Sequence, residues 1–191
     1  IIPRSYIAEL LKDELSPWVS NAENVTRVLD LCTGSGCLGI LAAEVFPNAK
    51  VDCVDISRDA LDVAKINVER YGMQDRIELL ESDLFNNLGD RQYDVIISNP
   101  PYVTQEAMDH LPGEYRHEPA LALGAGDDGL DIVRRLMTDA KAHLTNKGVI
   151  VVEVGDGKEA CEAAYPKIPF TWLATEEEDA MVYLLRKDEL P

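Results

Sequence analysis

Residues 96 to 103 read IISNPPYV, and the last four side chains before Val103 are suited to a specific chemical task. Ile96 and Ile97 belong in a buried strand. Pro100 and Pro101 lack a backbone N–H and hold φ fixed, so a sheet ladder must stop at them. The strand therefore ends on a polar amide carried by a stiff turn. An amide or exocyclic amine nitrogen is a poor nucleophile because its lone pair is delocalised into the neighbouring carbonyl or ring. Two acceptors that take both of its N–H bonds orient the group and push electron density back onto nitrogen. The side-chain oxygen of Asn99 and the carbonyl of Pro100 can form that pair. The prolines fix the carbonyl direction, and Tyr102 can wall or stack on a planar substrate group. Catalysis of this kind works by positioning and preorganised electrostatics, and it needs no metal.

A second constellation lies upstream. DLCTGSGCLG, Asp30 to Gly39, joins a strand to a helix. Gly34 and Gly36 let the backbone turn sharply and approach a ligand, and the helix N-terminus offers unpaired N–H groups. Gly39 lets that helix pack closely on the strand. The spacing also reads G-x-G-x-x-G, which by itself is a weak sign of a dinucleotide site. Asp55, at the end of the next strand, can accept both hydroxyls of a ribose. Asp83, in ESDLF, can reach an adenine amino group, with Leu84 covering the base. NAD and S-adenosylmethionine both satisfy these features. No further constellation for hydride transfer accompanies them, and Asn99-Pro100-Pro101-Tyr102 favours S-adenosylmethionine, whose sulfonium presents a methyl group in line.

The elements that must position these residues alternate between strand-like and helical patterns, which predicts parallel βαβ units. Strands are predicted at Arg27 to Cys32, Lys50 to Asp55, Ile77 to Ser82, Tyr93 to Asn99 and Gly148 to Val154. Helices are predicted on the stripes Leu38, Leu41, Ala42, Val45; Leu61, Ala64, Val68, Tyr71; and Leu130, Val133, Met137, Ala140, Leu144. Ser57 caps the second of these, and Gly72 ends it. Phe170 to Ala174 and Met181 to Arg186 are separated by too few residues for a parallel crossover, so they form an antiparallel hairpin. The connection from 100 to 128 is long enough to be functional. Ligands bind such sheets beyond the carboxyl ends of the strands.

The chain has 191 residues, enough for one domain with a real core. A hydrophobic fraction of 46% with 6% aromatics suits an aliphatic-rich α/β protein. The apolar runs are too short to span a membrane, and no secretory signal opens the chain, so a cytoplasmic location is expected. The net charge of −17 argues against an undirected grip on nucleic acid phosphates; its plainer reading is solubility, and it mildly favours a basic protein partner. Cys32, Cys37, Cys53 and Cys161 lack CxxC spacing and read as reduced, buried thiols. Oligomeric state is not legible.

The tetrapeptide resembles the [N/D/S]-PP-[Y/F/W] motif of S-adenosylmethionine-dependent amino and amide methyltransferases. Within that class the chain is similar to the HemK-type protein glutamine methyltransferases. IPRSYIAELL, LDLCTGSGCLGI, VDISRDAL, SDLF, NPPYV, EYRHEPALAL and DGL carry the likeness over nearly the whole chain. LPGEYRHEPALALGAGDDGL and IPFTWL resemble the branch that modifies the third protein of the large ribosomal subunit. The resemblance implies a seven-stranded Rossmann-like class I methyltransferase fold, mostly parallel with a C-terminal antiparallel hairpin and helices on both faces. It implies that Asn99, Pro100, Pro101 and Tyr102 hold a target glutamine amide. It also implies that Asp30, Cys32, Thr33, Gly34, Ser35, Gly36, Asp55, Ile56, Asp83, Leu84 and Asn99 bind the cofactor. Two departures stand out: Cys32 replaces the usual first glycine of the loop, and the family's N-terminal helical substrate domain would end where this chain begins. Residues 1–24 then form a lead-in helix to a catalytic domain that fills 1–191.

Other candidates have plainer readings. His117 in YRHEP reads as a hydrogen-bonded loop residue, with Arg116 and Glu118 pairing and Pro119 stiffening the loop. His110 and His143 read as surface residues, and Asp127 and Asp128 as caps of the following helix. Glu176 to Asp179 is a solvated acidic turn that could attract a basic protein. Arg4 and Ser5 match a family segment near the cofactor or form a frayed end. Competing targets are the Gly-Gly-Gln glutamine of release factors and the amino group of adenine in nucleic acid. A cofactor-binding scaffold without activity is the non-enzymatic alternative.

Overall fold

The computed structural model describes residues 5–103, 126, 128–175 and 179–191. Strands β1 (Arg27–Leu31), β2 (Lys50–Asp55), β3 (Ile77–Glu81), β4 (Tyr93–Ser98), β5 (Leu144–Glu153), β6 (Thr171–Ala174) and β7 (Asp179–Arg186) form one sheet in the order β3-β2-β1-β4-β5-β7-β6. The first five are parallel to one another, and β7 runs antiparallel between β5 and β6. The chain reverses direction across the sheet at β1, so the loops after β1 and β4 leave side by side.

Alternation along the strands divides the core. Val28, Val95, Ile97, Val149 and Val151 face one layer, with helices α1 (Ile7–Lys12) and α2 (Cys37–Val45). Leu29, Leu31, Ile96, Ile150 and Val152 face the other, with α4 (Asp131–Asp139) and α5 (Lys158–Ala164). Helix α3 (Arg58–Arg70) buries Leu61, Ala64 and Val68. Each fully buried aliphatic side chain contributes about 1.5–3 kcal/mol of transfer free energy, so this two-sided core fixes the strand tips rigidly.

Several sequence expectations need correction. Tyr71 is 61% exposed and does not extend the α3 stripe. In α2 the fully buried positions are Gly39, Ile40, Ala42 and Ala43, while Leu38, Leu41 and Val45 of the expected stripe pack half-buried against the same core. Helix α4 stops at Asp139 and passes through a 3-10 turn (Ala140–His143), so Leu144 opens β5 instead of closing the helix. The polar run Thr145-Asn146-Lys147 concealed that start. His143 is half-buried, stacks on Phe85 at 4.7 Å and contacts the Arg91 carbonyl through Nδ1 at 2.9 Å. Cys37 is exposed and Cys32 half-buried; only Cys53 and Cys161 are fully enclosed. Among the described residues of 1–24, helix covers Ile7–Lys12 and a 3-10 turn covers Ala22–Asn24. The expectations for Arg4, His110, Arg116, His117, Glu118, Pro119, Asp127 and the tip of the acidic turn lie outside the described residues.

Candidate functional site at the carboxyl edge of the sheet

Register brings the candidate residues into one row. Leu31 pairs with Val54 and Ser98, Asp55 with Glu81, and Ser98 with Val152. Asp83, Asp55, Cys32, Asn99 and Glu153 therefore leave adjacent strand tips in spatial order.

The glycine turn is built by hydrogen bonds from three sides. The Thr33 N–H donates to the Val54 carbonyl at 3.0 Å, and the Asn67 amide from α3 donates to the Ser35 carbonyl at 2.8 Å. Oδ2 of Asp55 accepts from the Gly34 N–H at 2.8 Å, and Oδ1 accepts from the Ser57 N–H at 2.9 Å. Each carboxylate oxygen keeps a second lone-pair direction, so Asp55 can still accept from a diol. Gly36 caps α2 at φ +79°, where a Cβ would also come 3.1 Å from the Cβ of Ala64. A Cβ on Gly39 would run into the Cys53 sulfur and stand 3.2 Å from Oδ2 of Asp30, so α2 packs closely on β1, as the sequence implied, and on β2 as well. The α2 N-terminus carries no side-chain cap, which leaves its dipole for an anionic group.

Asp30 is wholly buried behind this turn. Its Oδ2 accepts from the Thr33 hydroxyl and from the Gly39 N–H at 2.9 Å, while Oδ1 has no hydrogen-bond partner among the described residues. Burial pushes its carboxyl up to about 7 against the pull of those two bonds. Asp30 thus shapes the loop from behind instead of facing the opening. Burial and the nearby Asp55 push the Cys32 thiol up to about 12, so it stays protonated and is no nucleophile. Cys32 holds φ +60°, the conformation for which glycine is the usual residue.

Ile56 follows Asp55 and is 50% exposed, an apolar surface at the site. Asp83 faces Arg135 of α4, with Oδ2 and Nη2 2.8 Å apart. Leu84 is only 6% exposed and packs with Phe85 and Leu88 in the second core layer, so only an edge of it can reach a base.

At the tip of β4, the Ser98 hydroxyl donates to the Leu31 carbonyl at 2.9 Å and ties this strand to β1 beneath the glycine turn. Asn99 is half-buried, Pro100 buried, and Pro101 and Tyr102 half-buried. The Tyr102 hydroxyl lies 3.4 Å from Oε1 of Glu153, and its ring lies against Gly155.

Residues 9–113 match the methyltransferase small domain. The chain belongs to that family. A relative from Neisseria meningitidis serogroup A, named ribosomal protein uL3 glutamine methyltransferase, is 54% identical over 190 residues, which is 100% of this chain and 62% of the relative. Relatives of the same name from Bordetella pertussis and Francisella tularensis are 53% and 50% identical and are covered over 64% and 60% of their lengths. The chain spans less than two thirds of the length of these curated relatives. Among solved structures, a ribosomal protein L11 methylase from Lactobacillus delbrueckii subsp. bulgaricus aligns with a TM-score of 0.63 at 19% identity, over 94% of this chain and 77% of that one. TrmN from Thermus thermophilus aligns at 0.66 and 19% identity, over 96% and 50%. Those two likenesses show the fold, the seven-stranded class I methyltransferase sheet.

Sequence reasoning missed three residues at this site. Glu153 is 2% exposed at the end of β5, Ser98 braces β1, and Gly155 leaves room for the Tyr102 ring. The available signal was a lone acid closing the apolar run GVIVVE, level with Asn99 once β4 and β5 are paired. No helix among the described residues is long and apolar enough to cross a membrane.

Proposed function

We propose that this chain carries the catalytic site of an S-adenosylmethionine-dependent methyltransferase acting on a glutamine side chain of uL3, the third protein of the large ribosomal subunit, in the cytoplasm. The observation that carries the reaction is Asn99-Pro100-Pro101-Tyr102 at the tip of β4, one strand from the glycine turn and two from Asp55. The names of the relatives supply the substrate, and a net charge of −17 suits a basic protein better than nucleic acid.

The residues present fit the cofactor. The uncapped α2 N-terminus suits its carboxylate, the spare lone pairs of Asp55 its ribose, exposed Ile56 a face of its adenine, and Asp83 the amino group of that base. When bound, S-adenosylmethionine supplies a methyl group on a positively charged sulfur, and S-adenosylhomocysteine is the product. Asn99 Oδ1 and the Pro100 carbonyl accept the two N–H bonds of the glutamine amide and turn its nitrogen lone pair toward the glycine turn. Methyl transfer from sulfur to this nitrogen would release one amide proton, which would pass to solvent water. Tyr102 walls the planar amide, and Pro101 keeps the turn from relaxing. Preorganisation of this kind can supply several kcal/mol without a strong base.

The test is mass spectrometry of uL3 and of release factors after incubation with the full-length protein and methyl-labelled S-adenosylmethionine. One labelled methyl on a glutamine of uL3 alone is the expected result. Label on a release factor instead would move the substrate assignment and keep the chemistry. Label on adenine of added nucleic acid would overturn the glutamine reading.

A further inference from the structure

One buried carboxylate at the site has no part in the cofactor assignment above. Glu153 ends β5 beside Asn99, and two distant segments converge on it. Its Oε2 accepts from the Ser5 hydroxyl at 2.6 Å and from the Tyr6 N–H at 3.0 Å. Its Oε1 lies 3.4 Å from the Tyr102 hydroxyl, a long contact for an O–H donor. Helix α1 has no side-chain cap of its own, and Glu153 places a carboxylate at its N-terminus, where the dipole and orphan N–H groups favour one. From the other side, a Cβ at Gly155 would stand 2.7 Å from Cε2 of Tyr102, so the ring rests on bare backbone there. The tyrosine is thus held by its hydroxyl at one point and by its ring at another.

We propose that Glu153 is a positioning residue for methyl transfer, anchoring Tyr102 as the wall of the amide pocket and making that anchorage depend on the docked Ser5–Ile7 turn. The inference rests on the glutamine reading given above. The chemistry calls for a carboxylate. Ser5 Oγ–H, Tyr6 N–H and Tyr102 O–H are all donors, and an ionised carboxylate accepts from all three while offering no hydrogen in return. A glutamine at 153 would turn an NH₂ toward one of these donors. With its hydroxyl tethered, Tyr102 loses the freedom to tilt, and a planar amide beside it is confined to the plane in which Asn99 and Pro100 accept.

The experiment uses the full-length protein with Glu153→Gln, Ser5→Ala, Tyr102→Phe and the double variant Glu153→Gln/Tyr102→Phe. Three quantities are read: kcat and KM on uL3, S-adenosylhomocysteine affinity by calorimetry, and the ring resonances of Tyr102 in ¹³C-tyrosine-labelled protein without substrate. Glu153→Gln is expected to shift the Tyr102 resonances and to lower kcat about a hundredfold, as misplacement by an ångström does. Cofactor-product affinity should stay within about twofold, and Tyr102→Phe should add little once Glu153 is changed. Ser5→Ala should move the same resonances by a smaller amount, and it carries the test if Glu153→Gln fails to fold. Unmoved Tyr102 resonances, or rate losses that simply add, would overturn the inference even in a fully active enzyme. Shifted resonances in an enzyme inert towards glutamine would overturn the reaction and leave the anchoring of Tyr102 standing.

Discussion

At the amino end of the sheet, Asp52 is 3% exposed and its Oδ2 is met by Arg27 at 2.9 Å, Arg91 at 3.0 Å and the Tyr93 hydroxyl at 2.7 Å. Asp94 beside it accepts from Thr26 twice, from the Arg27 N–H and from Thr145, joining the starts of β1, β4 and β5. Burial pushes the Asp94 carboxyl up, but those bonds outweigh it and hold the group below its usual value. At the carboxyl end the balance reverses. Asp30 has an oxygen with no partner among the described residues and sits near 7, and burial also pushes Glu153 up. Two residues there, Cys32 and Leu84, hold positive φ without being glycine. Asp52 and Asp94 lock strands together at the amino end, where Arg27 Nε is the buried polar atom that no described residue meets; at the carboxyl end that atom is Asp30 Oδ1. Carboxyl groups raised by burial stand at the edge that carries the candidate site.

The sharpest break of this contrast is Asn99→Ala. Methyl transfer to glutamine should fall by about a thousandfold. The affinity for S-adenosylhomocysteine by calorimetry and the urea midpoint should both stay near wild type. Equal activity in the variant would remove the amide clamp.

Next in size is the pH dependence set by Asp30. In the unfolded chain this carboxyl loses its proton near 3.8, whereas the folded protein keeps it until about 7. Between those values the native state binds more protons, so this group's contribution to stability declines as pH rises and stays reduced above 7. The span amounts to about 4 kcal/mol. Asp30→Asn, which copies the protonated form, should flatten that part of the urea stability profile between pH 5 and 8. Parallel profiles for both proteins would show that Asp30 is ionised in the fold.

Asp52→Ala tests the opposite end. Arg27 and Arg91 are 41% and 32% exposed and can rehydrate, but the Tyr93 hydroxyl is left buried without its acceptor. The expected loss is about 2 kcal/mol of stability by urea unfolding, with kcat unchanged. A loss of activity exceeding the loss of fold would blur the division between the two ends. The smallest effect is Cys32→Gly, which relieves a non-glycine residue at φ +60°. It should raise stability by up to about 1 kcal/mol, seen as a higher melting temperature, because the left-handed conformation penalises a Cβ.

Much of the carboxyl end was legible in the sequence because it is written in residues that break patterns. Two prolines after a strand, two glycines before a helix and an aspartate closing an apolar run are local signals. Glu153 was not legible, because its role depends on the pairing of β4 with β5 and on Ser5, 148 residues away in the chain. The amino-end network was hidden for the same reason: Asp52 and Tyr93 each look like ordinary strand residues until β1 is laid between their strands. The start of β5 was misplaced because its first residues owe their strand geometry to side chains from elsewhere, such as the Asp94 bond to Thr145. Local chemistry shows in one dimension, and partnerships across the sheet do not.

The sheet order has a consequence for how the protein comes into being. β4, which bears Asn99, lies between β1 and β5, and β5 ends at residue 153. A nascent chain that has left the ribosome only as far as Asn99 already contains the glycine turn, Asp55, Asp83 and the first acceptor of the amide clamp, yet one flank of β4 is still bare. The strand under the clamp is enclosed only after another 54 residues have emerged. Assembly of the site is therefore a late event in synthesis, and truncation between Tyr102 and β5 yields a chain with the glycine turn, Asp55, Asp83 and the clamp residues in place and no seated pocket.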